Sequence, residues 1–128
     1  MTTYLWIALG GALGSVARFA STEWVQSHWP SGFPWGTLLV NVLGSLIIGA
    51  LAGLTETDRH QLSLLVRQFL MIGVLGGYTT FSSFSLQTLM LLRSGAALTA
   101  GLNVLASVAL CLLAAWCGFV LVTAMSRL

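Results

Sequence analysis

At 128 residues the chain has room for one domain, and 57% of it is hydrophobic against 6% charged. Soluble domains carry roughly 25% charged residues. With a mean hydropathy of +0.94, this chain cannot clothe a water-facing surface, and lipid is its expected solvent. The net charge of +2, from five arginines and no lysine, is too small and too scattered for a nucleic-acid footprint.

The first apolar run, about residues 4–25, has no basic stretch ahead of it and reads as a membrane span rather than a signal peptide. Residues 26–34 follow as a loop holding both prolines, with Trp29 and Phe33 suited to a membrane interface. The second span covers about 35–54, and the most polar loop about 55–61. The third covers about 62–92, too long for one straight crossing, and Arg93-Ser94-Gly95 forms a tight turn. The fourth covers about 96–123. Each is near or above the roughly 20 residues that a helix needs to cross hydrocarbon. Cys111 and Cys117 in the last run read as small buried hydrophobes. No His or Cys cluster has metal-ligand spacing.

The third span contains Gly76-Gly77-Tyr78-Thr79-Thr80-Phe81-Ser82-Ser83-Phe84-Ser85, with two adjacent glycines and five serine and threonine hydroxyls. These are poor helix formers. The segment therefore predicts two half-helices joined by irregular backbone near 76–80. At membrane depth such backbone must face protein or a water-filled path, and broken helices serve as sites for small ions or polar solutes.

An even number of spans puts both termini on one side. Arg59, Arg67 and Arg127 then stand against Arg18 and Arg93, too slight a bias to fix orientation. Insertion both ways up, with pairing as an antiparallel dimer, follows as an expectation. Small residues at four-residue spacing, Gly10 with Gly14 and Ser45 with Gly49 and Gly53, allow close helix approach, within the subunit or between subunits.

Several polar groups fall at membrane depth. Arg18 either snorkels to the nearer interface or makes an electropositive vestibule for anions, with Glu23 five residues on as an imperfect partner. Asn41 makes an interhelical hydrogen bond or turns its NH₂ toward an anion, and Thr37 lies one turn earlier. Phe81 and Phe84 share a helix face if the second half-helix begins near Thr80. Their ring edges are positive and suit an anion, whereas a cation prefers ring faces. Asn103, Ser107 and Cys111 form a polar stripe on the fourth span, and Gln87 adds another buried amide. No carboxylate sits at mid-span.

Over essentially its full length the chain resembles the Fluc/CrcB fluoride channel family. The resemblance is carried by residues 10–18, from Gly10 to Arg18, by Pro34-Trp35-Gly36-Thr37-Leu38 with Asn41 and Gly44, and above all by residues 76–85. It implies an all-α integral membrane protein of four transmembrane helices, the third broken at mid-membrane. It further implies an antiparallel, dual-topology homodimer with two fluoride pores, multi-pass in a bacterial inner or plasma membrane. The implied pore residues are Asn41, Phe81, Phe84, Ser83, Thr37, Asn103 and Ser107, with Arg18 in the vestibule. A structural sodium ion at the dimer centre is implied, held by the backbone carbonyls of Gly76 and Thr79. The chain departs from many relatives at Gln87, where they are acidic, from some at Asn103, where they carry Tyr, and at Cys111 and Ala115, where hydroxyls continue in them. The expected activity is passive fluoride export that relieves toxicity. The rival readings are a small multidrug-type proton-coupled exporter and a non-transporting membrane subunit. Glu23 and Glu56 lie at span ends, where neither supplies the embedded carboxylate that such an exporter needs. No nucleophile–base pair suggests an enzyme.

Overall fold

The computed structural model describes residues 2–56 and 63–126, which are helical apart from short connections and one interruption. Helix α1 is Thr2–His28 and α2 is Trp35–Glu56. Helix α3 spans residues 64–78, with α-helical turns at Leu64–Arg67, π-helical turns at Gln68–Leu75 and α-helical turns again at Gly76–Tyr78. Helix α4 is Phe81–Arg93 and α5 is Ala97–Met125. The expected polar loop at 55–61 lies outside the described residues beyond Glu56. So do the third span's first residue and the charges Arg59 and Arg127.

The helix ends follow from local chemistry. Pro34 opens α2, its carbonyl accepting from the Leu38 N–H at 3.1 Å. Ser63 caps α3 by accepting from the Val66 N–H. Gly95 ends α4 at φ 81°, a left-handed conformation that costs glycine little. The Gly95 N–H donates to the Leu92 carbonyl at 3.1 Å and the Ala96 N–H to the Leu91 carbonyl at 2.9 Å. That is the Schellman pattern, which reverses the chain into α5.

Two helix pairs make up most of the packing, α2 on α5 and α1 on α3. Both close through glycine. A Cβ on Gly14 would collide with the Val74 carbonyl, one on Gly49 with the Ala115 carbonyl, and one on Gly118 with the Leu46 carbonyl. Gly10 faces Phe69 and Gly73 in the same way, and Gly53 faces Phe119. Of the two readings of the small-residue spacing, Gly10, Gly14, Gly49 and Gly53 therefore take the one within the subunit. Ser45 lines a cavity.

Trp35–Glu56, Leu64–Arg93 taken through its interruption, and Ala97–Met125 are long and apolar enough to cross a membrane. Helix α1 is as long, with 27 residues. Arg18, its glycines and its hydroxyls dilute its apolar content, and it stands outside that set. Large apolar side chains are exposed along every long helix, a surface that needs lipid or another protein to cover it. At one end of the bundle Trp24 lies against His28, ring centroids 4.6 Å apart, and Phe33 against Trp35 at 4.5 Å, an aromatic group of the kind found at membrane interfaces.

Candidate functional site

The interruption in the third span falls at Thr79 and Thr80, not at the glycine pair. Gly76 and Gly77 remain helical, and the chain turns extended at Thr79 (ψ 158°) and Thr80 (φ −153°, ψ 117°). The glycines serve packing instead: a Cβ on Gly77 would lie 2.5 Å from the Gly11 carbonyl oxygen.

Asn41 holds the break open. In a continuous helix the Thr80 N–H would donate to the Gly76 carbonyl four residues back. Here it donates to Asn41 Oδ1 at 2.8 Å, and Asn41 Nδ2 donates to the Thr80 carbonyl at 3.0 Å. One side-chain amide thus pairs both backbone groups of a residue that is 7% exposed. The Thr80 N–H is no longer available to the Gly76 carbonyl, and one Asn41 amide hydrogen remains uncommitted.

The Thr80 side chain starts the second half-helix. Its Oγ1 accepts from the Ser83 N–H at 3.2 Å as the N-cap of α4 and donates to Ser83 Oγ at 3.1 Å, with Ser82 Oγ at 3.3 Å. Helix α4 therefore begins at Phe81, and Phe81 and Phe84 share a face with ring centroids 5.2 Å apart. Phe84 is buried, while Phe81 is 77% exposed on the single chain.

Both rings line a cavity of about 450 Å³. Asn41, Gly44 and Ser45 line it from α2. Leu75, Gly76, Thr79 and Thr80 line it from the third span, and Ser107 and Cys111 from α5. A Cβ on Gly44 would collide with Thr79 Cγ2, so the missing side chain lets the break approach α2. Of the residues predicted for the site, the structure gathers Asn41, Phe81, Phe84, Ser107, Gly76 and Thr79 here. Thr37, Ser83, Asn103 and Arg18 do not line this cavity. Thr37 is buried one turn from Asn41, and Ser83 is tied to Thr80.

Arg18 makes no ion pair with Glu23. Its Nη1 lies 3.5 Å from the Thr79 carbonyl, which brings positive charge to the C-terminal end of the first half-helix, where the helix dipole is negative. Tyr78 Oη and Ser21 Oγ, at 3.3 Å, add a second polar link between α1 and the break.

Asn103 is engaged across the α4–α5 hairpin by Thr88, a partner not anticipated from the sequence. Asn103 Nδ2 donates to Thr88 Oγ1 at 2.9 Å. A signal was present: Thr88 stands seven residues before Gly95 and Asn103 eight after it, so an antiparallel hairpin with its turn there places them opposite each other. Gln87 Oε1 is buried with no hydrogen-bond partner.

Residues 5–119 match the family described as CrcB-like protein, Camphor Resistance (CrcB). A protein of Opitutus terrae named fluoride-specific ion channel FluC is 55% identical, over 100% of this chain and 98% of its own length. Relatives of the same name from Methylocella silvestris and Rhodospirillum rubrum are 49% and 51% identical. The first covers 98% of this chain and 96% of itself, the second 92% of each.

Proposed function

This chain belongs to the CrcB/Fluc family, and from that premise we propose that it is a fluoride-selective channel. The observation that carries the reading is the cavity at the break. Two phenyl rings, an amide with a free hydrogen and a serine hydroxyl border one space at the interruption of the third span.

Fluoride is small and strongly hydrated, so a pore must replace its water with donors. Ring edges carry partial positive charge. The spare Asn41 hydrogen supplies a directed donor. Several weak sites in series let an ion leave as well as enter. Thr37, Ser83 and Asn103 act behind this surface, and Arg18 raises the local positive potential that draws anions inward. The result is passive export that relieves fluoride toxicity, with no chemical reaction.

On this reading the 128 residues form one four-span domain in a bacterial inner membrane, with α1 as a span beside the three more apolar ones. The many exposed apolar side chains leave room for a second copy. The functional unit is an antiparallel, dual-topology homodimer with two pores. A sodium ion at its centre fits the donor set here: the Gly76 carbonyl has lost the Thr80 N–H to Asn41, and hard cations take oxygen ligands. Gly76 and Thr79 of each subunit would hold it through backbone oxygen. The cation would neutralise the ends of two half-helices and tie the subunits together.

The test is fluoride release from liposomes loaded with potassium fluoride, followed with a fluoride electrode, with chloride as control. Fast fluoride release with negligible chloride release is expected. Equal rates for the two halides, or none for either, refute the proposal.

A further inference from the structure

Asn103 is 1% exposed, as deeply buried as any polar side chain among the described residues. Its amide joins three hydrogen bonds in a row. Ser107 Oγ donates to Asn103 Oδ1 at 3.5 Å, Asn103 Nδ2 donates to Thr88 Oγ1 at 2.9 Å, and the Thr88 hydroxyl donates to the Phe84 carbonyl at 2.8 Å. Ser107 also lines the cavity beside Phe84. A hydroxyl has one proton, and that of Ser107 is directed at Asn103. Ser107 therefore shows the cavity lone pairs, the wrong polarity for an anion.

The two ends of a side-chain amide have nearly the same shape. A half-turn of the Asn103 amide exchanges donor for acceptor without altering the packing. The Thr88 hydroxyl then donates to Oδ1, Nδ2 donates to Ser107 Oγ, and the Ser107 proton is free to point into the cavity. We propose that Asn103 is a two-position relay, turning when an anion arrives and making Ser107 a donor only then. The inference rests on the fluoride reading above and deepens it; Asn103 is a positioning residue that never touches the ion.

The bond count supports the switch. With the cavity free of anion, the observed arrangement has two well-formed hydrogen bonds and the long Ser107 contact against two in the turned one, so the two lie close in energy and the observed one is slightly favoured. An anion accepting from Ser107 restores the third bond, and bonds to a charged acceptor are stronger than neutral ones. The weak link is also the one that must break. The Ser107 contact at 3.5 Å is well beyond the usual O–H···O range, whereas the Thr88 contact is near the optimum. In the turned state the Phe84 carbonyl keeps its helical N–H donor and loses only the extra Thr88 hydroxyl.

The experiment follows the ¹⁵N side-chain amide resonance of Asn103 in the full-length protein in lipid nanodiscs, titrated with fluoride and separately with chloride. Fluoride is expected to shift it and chloride to leave it in place, and the shift should vanish in Ser107→Ala. Efflux supplies a second readout. Ser107→Ala should slow release about tenfold or more through loss of a charge-assisted bond. An Asn103 resonance unmoved by saturating fluoride in a conducting channel overturns the relay. So does a Ser107→Ala rate equal to that of the unmutated chain, because the hydroxyl would then take no part in conduction. The titration uses the unmutated chain and decides the matter even where a variant misfolds. Failure of the wild-type chain to release fluoride defeats the channel reading itself, and the relay with it.

Discussion

Replacing Asn41 with leucine, which has almost the same volume, removes both hydrogen bonds that Thr80 makes across to α2. The Thr80 N–H and carbonyl are left in a site that is 7% exposed. A buried polar group without a partner costs about 1–3 kcal/mol, so two of them cost about 2–6 kcal/mol. The cavity admits some water to this spot, which favours the lower part of that range, about 2–4 kcal/mol. An alternative for the chain is to close the break, returning the Thr80 N–H to the Gly76 carbonyl and turning Phe81 away from Phe84. Either outcome removes the proposed pore. The assay pairs reversible unfolding in detergent with fluoride efflux: Asn41→Leu should lose stability by that amount and conduct little. Asn41→Leu with stability within about 0.5 kcal/mol of wild type, the range of an ordinary surface substitution, together with normal efflux, would falsify the assignment of Asn41 as the clamp of the break.

Other consequences are open to measurement. Gly49→Ala and Gly118→Ala place a Cβ against backbone carbonyls of the facing helix, so each should destabilise by about 1–3 kcal/mol through overpacking. Gly101→Ala meets nothing within 4 Å and should stabilise by up to about 1 kcal/mol from helix propensity alone; thermal unfolding of the three side by side checks the contrast. Thr80→Val deletes the N-cap oxygen of α4 and should cost about 1 kcal/mol, read by the same unfolding curves. Phe81→Ile should cut fluoride efflux sharply while barely changing single-chain stability, because Phe81 is exposed; Phe84→Ile, at a buried site, should lower both. Exchanging sodium for a bulky organic cation should weaken the dimer, and sedimentation showing no change would count against a central sodium. Labelling of termini in intact cells should find them on both sides of the membrane; a single side would exclude dual topology.

Much of this architecture is written in the composition and the local pattern. Apolar runs of sufficient length, a proline-bearing loop after the first, and a glycine turn at Gly95 specify the helices and their order, because each is set by residues near one another in sequence. The helices extend a little past the expected ends, to His28, Glu56 and Met125, with polar residues in the added turns at His28 and Glu56. The run at 76–85 likewise announced an interruption and a pair of rings on one face. It bracketed the interruption at 76–80 but did not single out its residues. Within that bracket Gly76 and Gly77 stay helical, and α1 approaches Gly77 as closely as only glycine permits.

The chain extends instead at Thr79 and Thr80, because the partner that compensates the lost helical bond is Asn41, thirty-nine residues away. The same holds for Thr88 opposite Asn103, for Arg18 turning to the Thr79 carbonyl rather than to Glu23, and for the π-helical turns at Gln68–Leu75. Sequence determines which segments are apolar, where helices can start and stop, and which side chains bring donors into the membrane. Tertiary structure decides which backbone groups those donors satisfy. In a medium without water an unpaired group is costly, and its partner is whichever helix packing brings within reach.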